Sequence, residues 1–188
     1  MSKRLWLDSE TTGLDAKTNG IIQLSGMVEI NGKIENTFNY DLCPFGACEY
    51  DPEALNVNRK TVDEIKEFPS EEMIYDELID KFQHFINRYN KNDKFVLAGF
   101  GIDFDYAFLR KLFERHNEYG AGSWIFNCTY DVRTIAAMAI MNKNLRINKY
   151  RLGDFCQFFG IKLEAHDAMS DILATYELNR ELIKYIKS

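Results

Sequence analysis

Cysteine and proline are scarce in this chain of 188 residues. The four cysteines form no CxxC pair, which disfavours a zinc site, and they are too few for a disulfide-rich class, so we expect reduced thiols in a reducing compartment. The three prolines are scattered, and no repeat, low-complexity tract or linker divides the chain. With 46% hydrophobic and 28% charged residues the chain can bury a core, so a single domain over residues 1–188 is expected.

Long apolar runs and an excess of positive charge are also missing. The longest uninterrupted apolar run, residues 135–141, is far short of the roughly 20 residues that cross a bilayer, so no membrane span is expected. The apolar stretch at 5–7 is too short for a signal peptide, and the chain is interpreted as cytoplasmic. A net charge of -6 argues against wrapping long stretches of nucleic acid, but it does not exclude handling a single chain end.

The apolar pattern predicts strands first and then strands alternating with helices. Residues 21–30 and 33–42 are strand-like runs joined at Asn31-Gly32, a strong hairpin signal, and with 3–7 they predict an antiparallel meander. Further strands are predicted over 95–98 and 124–128, and helices over 70–89, 103–115, 131–141, 152–159 and 167–186. This order predicts an α/β fold, with a mixed five-stranded sheet whose first three strands are antiparallel and whose faces carry helices.

Two acidic residues, Asp8 and Glu10, follow the first predicted strand. Because they are two positions apart in an extended chain, their side chains leave the same face, with Cα atoms roughly 6 to 7 Å apart. They could share one cation, although an acidic pair at a strand exit is more often a solvated turn. The next residues, Thr11-Thr12-Gly13-Leu14, offer hydroxyls, a conformationally free glycine and an apolar tip, which suit a loop that receives a nucleotide.

Another acidic position lies at the start of the predicted helix 103–115. Gly99 and Gly101 supply the tight turn before this helix, which places a carboxylate at the C-terminal edge of the sheet. Asp103 and Asp105 compete for this role, because residues two apart on a helix point to different sides. Taken singly, either one is typical of an ordinary acid favoured by the helix dipole.

The last cluster of chemically active residues runs from His166 to Asp171. Asp167 is the expected N-cap of the final helix, because an apolar helical series begins just behind it. His166 then belongs to the loop that enters the helix, from which it could swing towards a substrate, while Asp171 stays fixed in the first turns. The other histidines, His84 and His116, are expected on the surface.

Four carboxylates from three separate elements would repel one another unless cations neutralised them. They are Asp8, Glu10, Asp171 and the helical acid, for which Asp105 competes with Asp103. Oxygen-only ligation favours Mg²⁺ or Mn²⁺, and two such ions about 3.5 to 4 Å apart can activate a water and stabilise the leaving oxygen of a phosphodiester. A histidine such as His166, whose side-chain type titrates near neutrality, suits removal of the proton from that water.

Three segments of the chain resemble the motifs of the DEDDh (DnaQ-like) 3′-5′ exonucleases, which include the proofreading subunits of bacterial replicative polymerases. The first motif resembles residues 7–14 and the third resembles 166–171, where a histidine five residues before the aspartate distinguishes this group from relatives with tyrosine. The second is similar to 98–109, and its Phe104-Asp105 and Phe108-Leu109 in register select Asp105 over Asp103. Three ordered motifs across nearly the whole chain are more specific than any one of them.

The resemblance implies a ribonuclease H-like fold and exonucleolytic cleavage of phosphodiesters with two divalent metal ions. It implies that Asp8, Glu10, Asp105 and Asp171 are metal ligands and that His166 is the general base. It also implies that Thr11, Thr12, Gly13 and Leu14 hold the terminal nucleotide, with their backbone near the 3′-hydroxyl and Leu14 against the base.

The chain departs from the family at Phe100-Gly101, where members commonly carry His-Asn. Phe100 could stack on a base, as aromatic residues do in single-strand sites, or it could be a core residue at a strand end.

The segment 142–151 contains Lys143, Arg146, Lys149 and Arg151 without an acid. It could guide the phosphate backbone to the site, or it could be a solvated loop.

The expected function is 3′-5′ exonuclease activity on single-stranded or frayed DNA, with release of nucleoside 5′-monophosphates. One alternative is an exoribonuclease that trims RNA or short oligonucleotides, because the same site cleaves either backbone. Another is a binding subunit that docks on a polymerase or on another replication or repair partner. A complete set of ligands and base argues against an inactive module.

Overall fold

The computed structural model describes residues 2–117, 120–143, 147, 149–164 and 167–187, without the side chains of 120, 142 and 143. One five-stranded sheet has the order β3-β2-β1-β4-β5. Its strands are β1 (Lys3–Thr11), β2 (Ile21–Ile30), β3 (Lys33–Asp41), β4 (Phe95–Gly99) and β5 (Ile125–Asp131). The β1–β2 and β2–β3 pairs are antiparallel, and the β1–β4 and β4–β5 pairs are parallel. The predicted mixed α/β sheet is confirmed.

Helices cover both faces of this sheet. They are α1 (Pro52–Asn58), α2 (Val62–Lys66), α3 (Glu71–Phe85), α4 (Asp103–Arg115), α5 (Val132–Lys143), α6 (Leu152–Phe159) and α7 (Ala168–Lys187), with a 3₁₀ turn at Gly120–Ser123. Among the described residues, no helix is both long enough and apolar enough to cross a membrane.

The side chains of β1 alternate between two hydrophobic cores. Leu5 and Leu7 pack with α3 and α4, whereas Trp6 packs with residues of α5, α6 and α7. Since successive strand residues point to opposite faces, Asp8 and Glu10 follow Trp6 onto the face covered by α7. The alternation along one strand therefore decides which helix can meet the two carboxylates.

Helices α3 and α4 are joined by a partly buried ion pair. Glu71, at the start of α3, accepts two hydrogen bonds from the Arg115 guanidinium at 2.7 and 2.8 Å. The His116 ring stacks on Tyr75 at 4.3 Å between centroids, and its side chain is only 18% exposed. The surface position predicted for His116 is therefore wrong, because the end of α4 packs against α3 rather than facing water.

The first strand and two short helices differ from the sequence-based expectation. Strand β1 continues to Thr11, so Asp8 and Glu10 lie inside it rather than after it, and a register shift against β2 falls between Glu10 and Thr11. Helices α1 and α2 were not predicted, because seven and five residues are too few for an apolar period to stand out. The hairpin is where Asn31-Gly32 predicts it, with φ of 51° and 85°.

Candidate active site

The first two carboxylates of the site come from one face of β1. In the β1–β2 ladder Asp8 lies opposite Ser25 and Glu10 lies opposite Gln23. This pairing holds the strand straight up to Glu10, where the register shift begins. The sheet itself therefore fixes the backbone of both acids.

The third carboxylate, Asp171, comes from the first turns of α7. Asp167 caps this helix, accepting from the Ser170 N–H at 2.9 Å, and the Asp171 N–H donates to the Asp167 carbonyl at 3.0 Å. The Ala168 N–H donates to the Gln23 side chain at 3.3 Å. Because Gln23 is the ladder partner of Glu10, this bond places the start of α7 directly over the two acids of β1.

These contacts bring together Asp8, Glu10 and Asp171. One carboxylate oxygen from each lies within 4.8 Å of the others, the spacing at which one cation can bind all three. The sequence placed two of these residues at the end of the first strand and Asp171 on the last helix, and the structure gathers all three at one end of the sheet.

The fourth predicted ligand, Asp105, lies beside this group rather than within it. Its side chain in α4 is buried, at 5% exposure, and Oδ1 accepts hydrogen bonds from the Ser9 N–H at 2.9 Å and from the Ser9 hydroxyl at 2.7 Å. Ser9 faces the side of β1 opposite to Asp8 and Glu10. Asp103 is exposed and accepts from the Thr129 hydroxyl, so only Asp105 of the two faces the site.

Burial and mutual repulsion raise the pKa values of these carboxyls. Burial, followed by the charges of Asp105, Asp171 and Glu10, raises the pKa of Asp8 well above its usual range. Burial raises the pKa of Asp171 to about 7, with Glu10 as the largest charge contribution. It also raises the pKa of Asp105 to about 7, although the Ser9 hydrogen bonds act in the opposite direction. Without a cation, the cluster therefore holds protons at neutral pH.

The donor set fits a hard divalent cation. Its members are carboxylates without sulfur or nitrogen, which suits Mg²⁺ or Mn²⁺. Asp171 Oδ1 is buried and has no hydrogen-bond partner among the residues that the structure describes. A buried oxygen without a partner destabilises the folded protein, because it has lost its hydrogen bonds to water. A cation bound at this position would interact with that oxygen.

A pocket of about 320 Å³ opens next to Glu10. Its walls come from the Thr11–Leu14 loop, from α1 and from Phe104 at the start of α4. Leu14 is 82% exposed at its rim, and Val57 and Phe104 add two further exposed apolar side chains. The pocket can therefore hold an apolar, flat group immediately beside the acidic cluster.

Polar contacts fix the backbone of this loop. The Thr11 hydroxyl donates to the Gly13 carbonyl at 2.7 Å, and the Asn58 amide donates to the Thr11 carbonyl at 2.9 Å. The Thr12 hydroxyl donates to the Glu49 carbonyl at 2.6 Å. A β-carbon at Gly13 would lie 2.5 Å from the Asn19 side-chain amide, so a side chain here would displace that amide. Thr11 and Thr12 therefore support the loop, while Leu14 is free to touch a ligand.

The remaining predicted site residues have different outcomes. Phe100 is half-buried and its ring lies 5.9 Å from that of Phe155 in the second core, so packing occupies part of its surface. Lys149 is exposed in the segment before α6. His166 and Arg146 lie outside the described residues, and nothing is stated of their positions.

Sequence reasoning missed the residues that position the site. Ser9 holds Asp105, Gln23 holds α7, and Asn58 of α1 holds the loop at Thr11. A signal for α1 is present in Asp51-Pro52-Glu53, which combines an N-cap, a proline at the first helical position and an acid in the first turn. Gln23 carries no such signal, because its role depends on strand pairing.

Comparisons with known proteins identify a family and similar folds. The family model RNase_T, described as Exonuclease, matches residues 5–179. The fold is similar to an E. coli exonuclease I–ssDNA complex with bound zinc (TM-score 0.79, 21% identity, 98% of this chain and 40% of that chain). It is also similar to E. coli exonuclease I with a dT13 oligonucleotide (TM-score 0.77, 20% identity, 97% and 41%). Among curated proteins no match was found. The chain spans about two fifths of the length of these solved structures.

Proposed function

Because the chain belongs to the RNase_T exonuclease family, we propose that it removes nucleotides from the 3′ end of single-stranded or frayed DNA. The products are nucleoside 5′-monophosphates and a strand shortened by one nucleotide. The observation that carries the proposal is the convergence of Asp8, Glu10 and Asp171 within 4.8 Å, next to a pocket with an apolar rim. Exonuclease I from E. coli, of similar fold, is described in complex with single-stranded DNA, which supports DNA as the substrate.

Asp8, Glu10 and Asp171, with Asp105 beside them, would hold two Mg²⁺ or Mn²⁺ ions. When bound, these ions supply charge neutralisation, activation of a water and stabilisation of the leaving oxygen. A negatively charged phosphodiester is repelled by ionised carboxylates, so neutralisation of the cluster also favours substrate binding.

The pocket beside Glu10 would hold the terminal nucleotide. Leu14, Val57 and Phe104 offer apolar surface to the base, and the fixed backbone of the Thr11–Leu14 loop faces the sugar. A pocket of about 320 Å³ lies at the lower end of the usual range for small ligands, which favours one nucleotide at a time.

The reaction needs a nucleophile, a proton acceptor and a leaving group. Water attacks the phosphorus, and His166 is proposed to take the proton from that water. The bond from phosphorus to the 3′-oxygen of the preceding nucleotide breaks, and that oxygen is protonated to the new 3′-hydroxyl. Phe100 and Lys149 are proposed to contact the part of the strand that lies beyond the cleaved bond.

The proposal covers one exonuclease domain over residues 1–188, acting in the cytoplasm. The four cysteines are free, which supports a reducing compartment.

Matched DNA and RNA 12-mers, each incubated with the purified chain and Mn²⁺, test this function. We expect nucleoside 5′-monophosphates from the DNA, identified by mass spectrometry, and none from the Asp8→Asn protein. Faster release of nucleoside 5′-monophosphates from the RNA would show that RNA, and not DNA, is the preferred substrate. Equal activity of wild type and Asp8→Asn would assign the hydrolysis to a contaminant and contradict the proposal.

A further inference from the structure

Arg133, the second residue of α5, lies against the turn that leads from β4 to α4. Its side chain is 53% exposed. A β-carbon at Gly101, where φ is +73°, would lie 3.3 Å from both Cζ and Nη1 of Arg133. The guanidinium therefore packs against the turn at Gly101.

Asp131 holds the turn at Gly101 and the start of α5 together. Its Oδ1 accepts from the Gly101 N–H at 2.8 Å and from the Arg133 N–H at 2.9 Å, so one carboxylate ties the turn to the start of α5. Its Oδ2 lies 3.9 Å from Arg133 Nε. The Arg133 side chain is half exposed, and its guanidinium carries donors in a planar fork that matches a phosphate.

The same turn adjoins the acidic cluster. Gly99 lies opposite Asp131 in the β4–β5 ladder, and a β-carbon at Gly99 would lie 2.9 Å from the Leu7 carbonyl, one residue before Asp8. Strands are about 4.8 Å apart, so the start of α5 lies about 10 Å from the backbone of Asp8, two strands away. A strand whose terminal nucleotide is in the pocket could reach Arg133 within a few nucleotides.

Exposed aromatic and basic side chains continue from this point. Tyr150 is exposed, and its ring lies 6.5 Å from that of Phe155, which in turn contacts Phe100 next to Gly101. Lys149 and Arg151 on either side of Tyr150 are exposed as well. Cations interleaved with aromatic rings are the usual composition of a surface that binds single-stranded nucleic acid.

We propose that Arg133 binds a backbone phosphate of the substrate strand, upstream of the cleaved bond. The inference rests on the proposed function and adds a contact that determines the preference for strands over single nucleotides. Asp131 acts as a positioning residue, since it holds both Gly101 and Arg133 in place.

The test compares Arg133→Gln with Arg180→Gln. Arg180 is exposed on α7, nine residues beyond Asp171 and therefore about 14 Å further along the helix, so both variants lose one surface charge. Hydrolysis is measured on the p-nitrophenyl ester of thymidine 5′-monophosphate, which has no upstream phosphate, and on thymidylates of two, three and eight nucleotides. Melting curves check that both variants are folded.

We expect the ratio of kcat/KM for the octamer to that for the ester to fall about five- to tenfold in Arg133→Gln. The loss should be absent for the ester and should begin at one particular length among the thymidylates of two, three and eight nucleotides. The slope of log(kcat/KM) against log[NaCl] should decrease in magnitude by about 1. Arg180→Gln should match wild type. An equal loss on ester and octamer, or an octamer loss no larger than that of Arg180→Gln, would overturn the assignment.

Binding of a 5′-fluorescein-labelled octathymidylate in chelator, read by anisotropy, separates this inference from the function itself. If wild type binds but hydrolyses nothing with Mg²⁺ or Mn²⁺, the proposed function fails. A weaker affinity of Arg133→Gln than of Arg180→Gln then still supports the phosphate contact, and equal affinities refute it.

Discussion

Replacing Asp171 by asparagine should stabilise the metal-free protein at alkaline pH while removing nearly all nuclease activity. Asparagine keeps the size of the side chain but carries no charge, so it relieves repulsion from Glu10, Asp167 and Asp105, the charges that help to raise the pKa of Asp171. Activity is lost because a neutral amide is a poor ligand for a divalent cation.

The magnitude follows from the pKa of Asp171, which is about 7 in the folded protein against an ordinary 3.8. The folded state binds more protons than the unfolded state between these values, so stability falls as pH rises from about 4 to about 7 and stays low above it. A difference of about 3 pH units corresponds to at most about 4 kcal/mol. Asp171 is partly exposed and solvent screens its charge, which reduces the expected gain to about 1–2 kcal/mol.

The assay is thermal unfolding in chelator at pH 8.5 and pH 5. For a chain of this size the gain at pH 8.5 corresponds to about 3–6 °C, and it should be largely absent at pH 5, where wild-type Asp171 is already protonated. Glu177→Gln, at an exposed position on the same helix, is the control for the change in net charge. A gain in Asp171→Asn that is no larger than in the control, or that is equal at both pH values, would refute the reasoning.

Millimolar Mg²⁺ or Mn²⁺ should raise the melting temperature of wild type, with a stabilisation of about 2.7 kcal/mol when the cation concentration is 100 times Kd. The increase should be smaller for Asp105→Asn. No shift in either protein would contradict a shared metal site. His166→Ala should lower the rate about 10²- to 10⁴-fold under saturating metal and remove a histidine limb from the pH–rate profile, while metal-dependent stabilisation persists. The comparison is made on the plateau above pH 8, and a near-normal rate there would exclude His166 as the base. Glu71→Ala should lower stability by about 3 kcal/mol, because it leaves the Arg115 guanidinium unpaired; denaturant unfolding measures this, and a loss below about 1 kcal/mol would contradict a structural role for the pair.

The sheet could be predicted because its signals are local. Apolar runs over 21–30 and 95–98 and the Asn31-Gly32 turn each specify their element without help from the rest of the chain. Helix α1 could not be found by periodicity, since it is seven residues long and none of them is buried. His116 shows the same limit, because its burial depends on contacts with α3 that no local pattern reveals.

The acidic residues of the site were predictable as a set, but their geometry was not. Asp8, Glu10 and Asp171 meet because α7 packs on β1 and β2, where Gln23, opposite Glu10, also accepts a hydrogen bond from the first residue of α7. Asp105 was selected over Asp103 by motif register, and only the structure shows that Ser9 holds it beside the cluster. Long-range hydrogen bonds of this kind leave no periodic trace in a sequence.

The polarity of hydrolysis tests the central claim most directly. Two otherwise identical single-stranded DNA 12-mers are compared, one with a blocked 3′ end and the other with a blocked 5′ end, and products are resolved nucleotide by nucleotide with Mg²⁺ present. We expect stepwise shortening of the 5′-blocked strand, protection of the 3′-blocked strand, and no product from either with Asp171→Asn. Cleavage of the 3′-blocked strand at internal positions, or shortening from its 5′ end, would contradict a 3′-5′ exonuclease built on Asp8, Glu10 and Asp171.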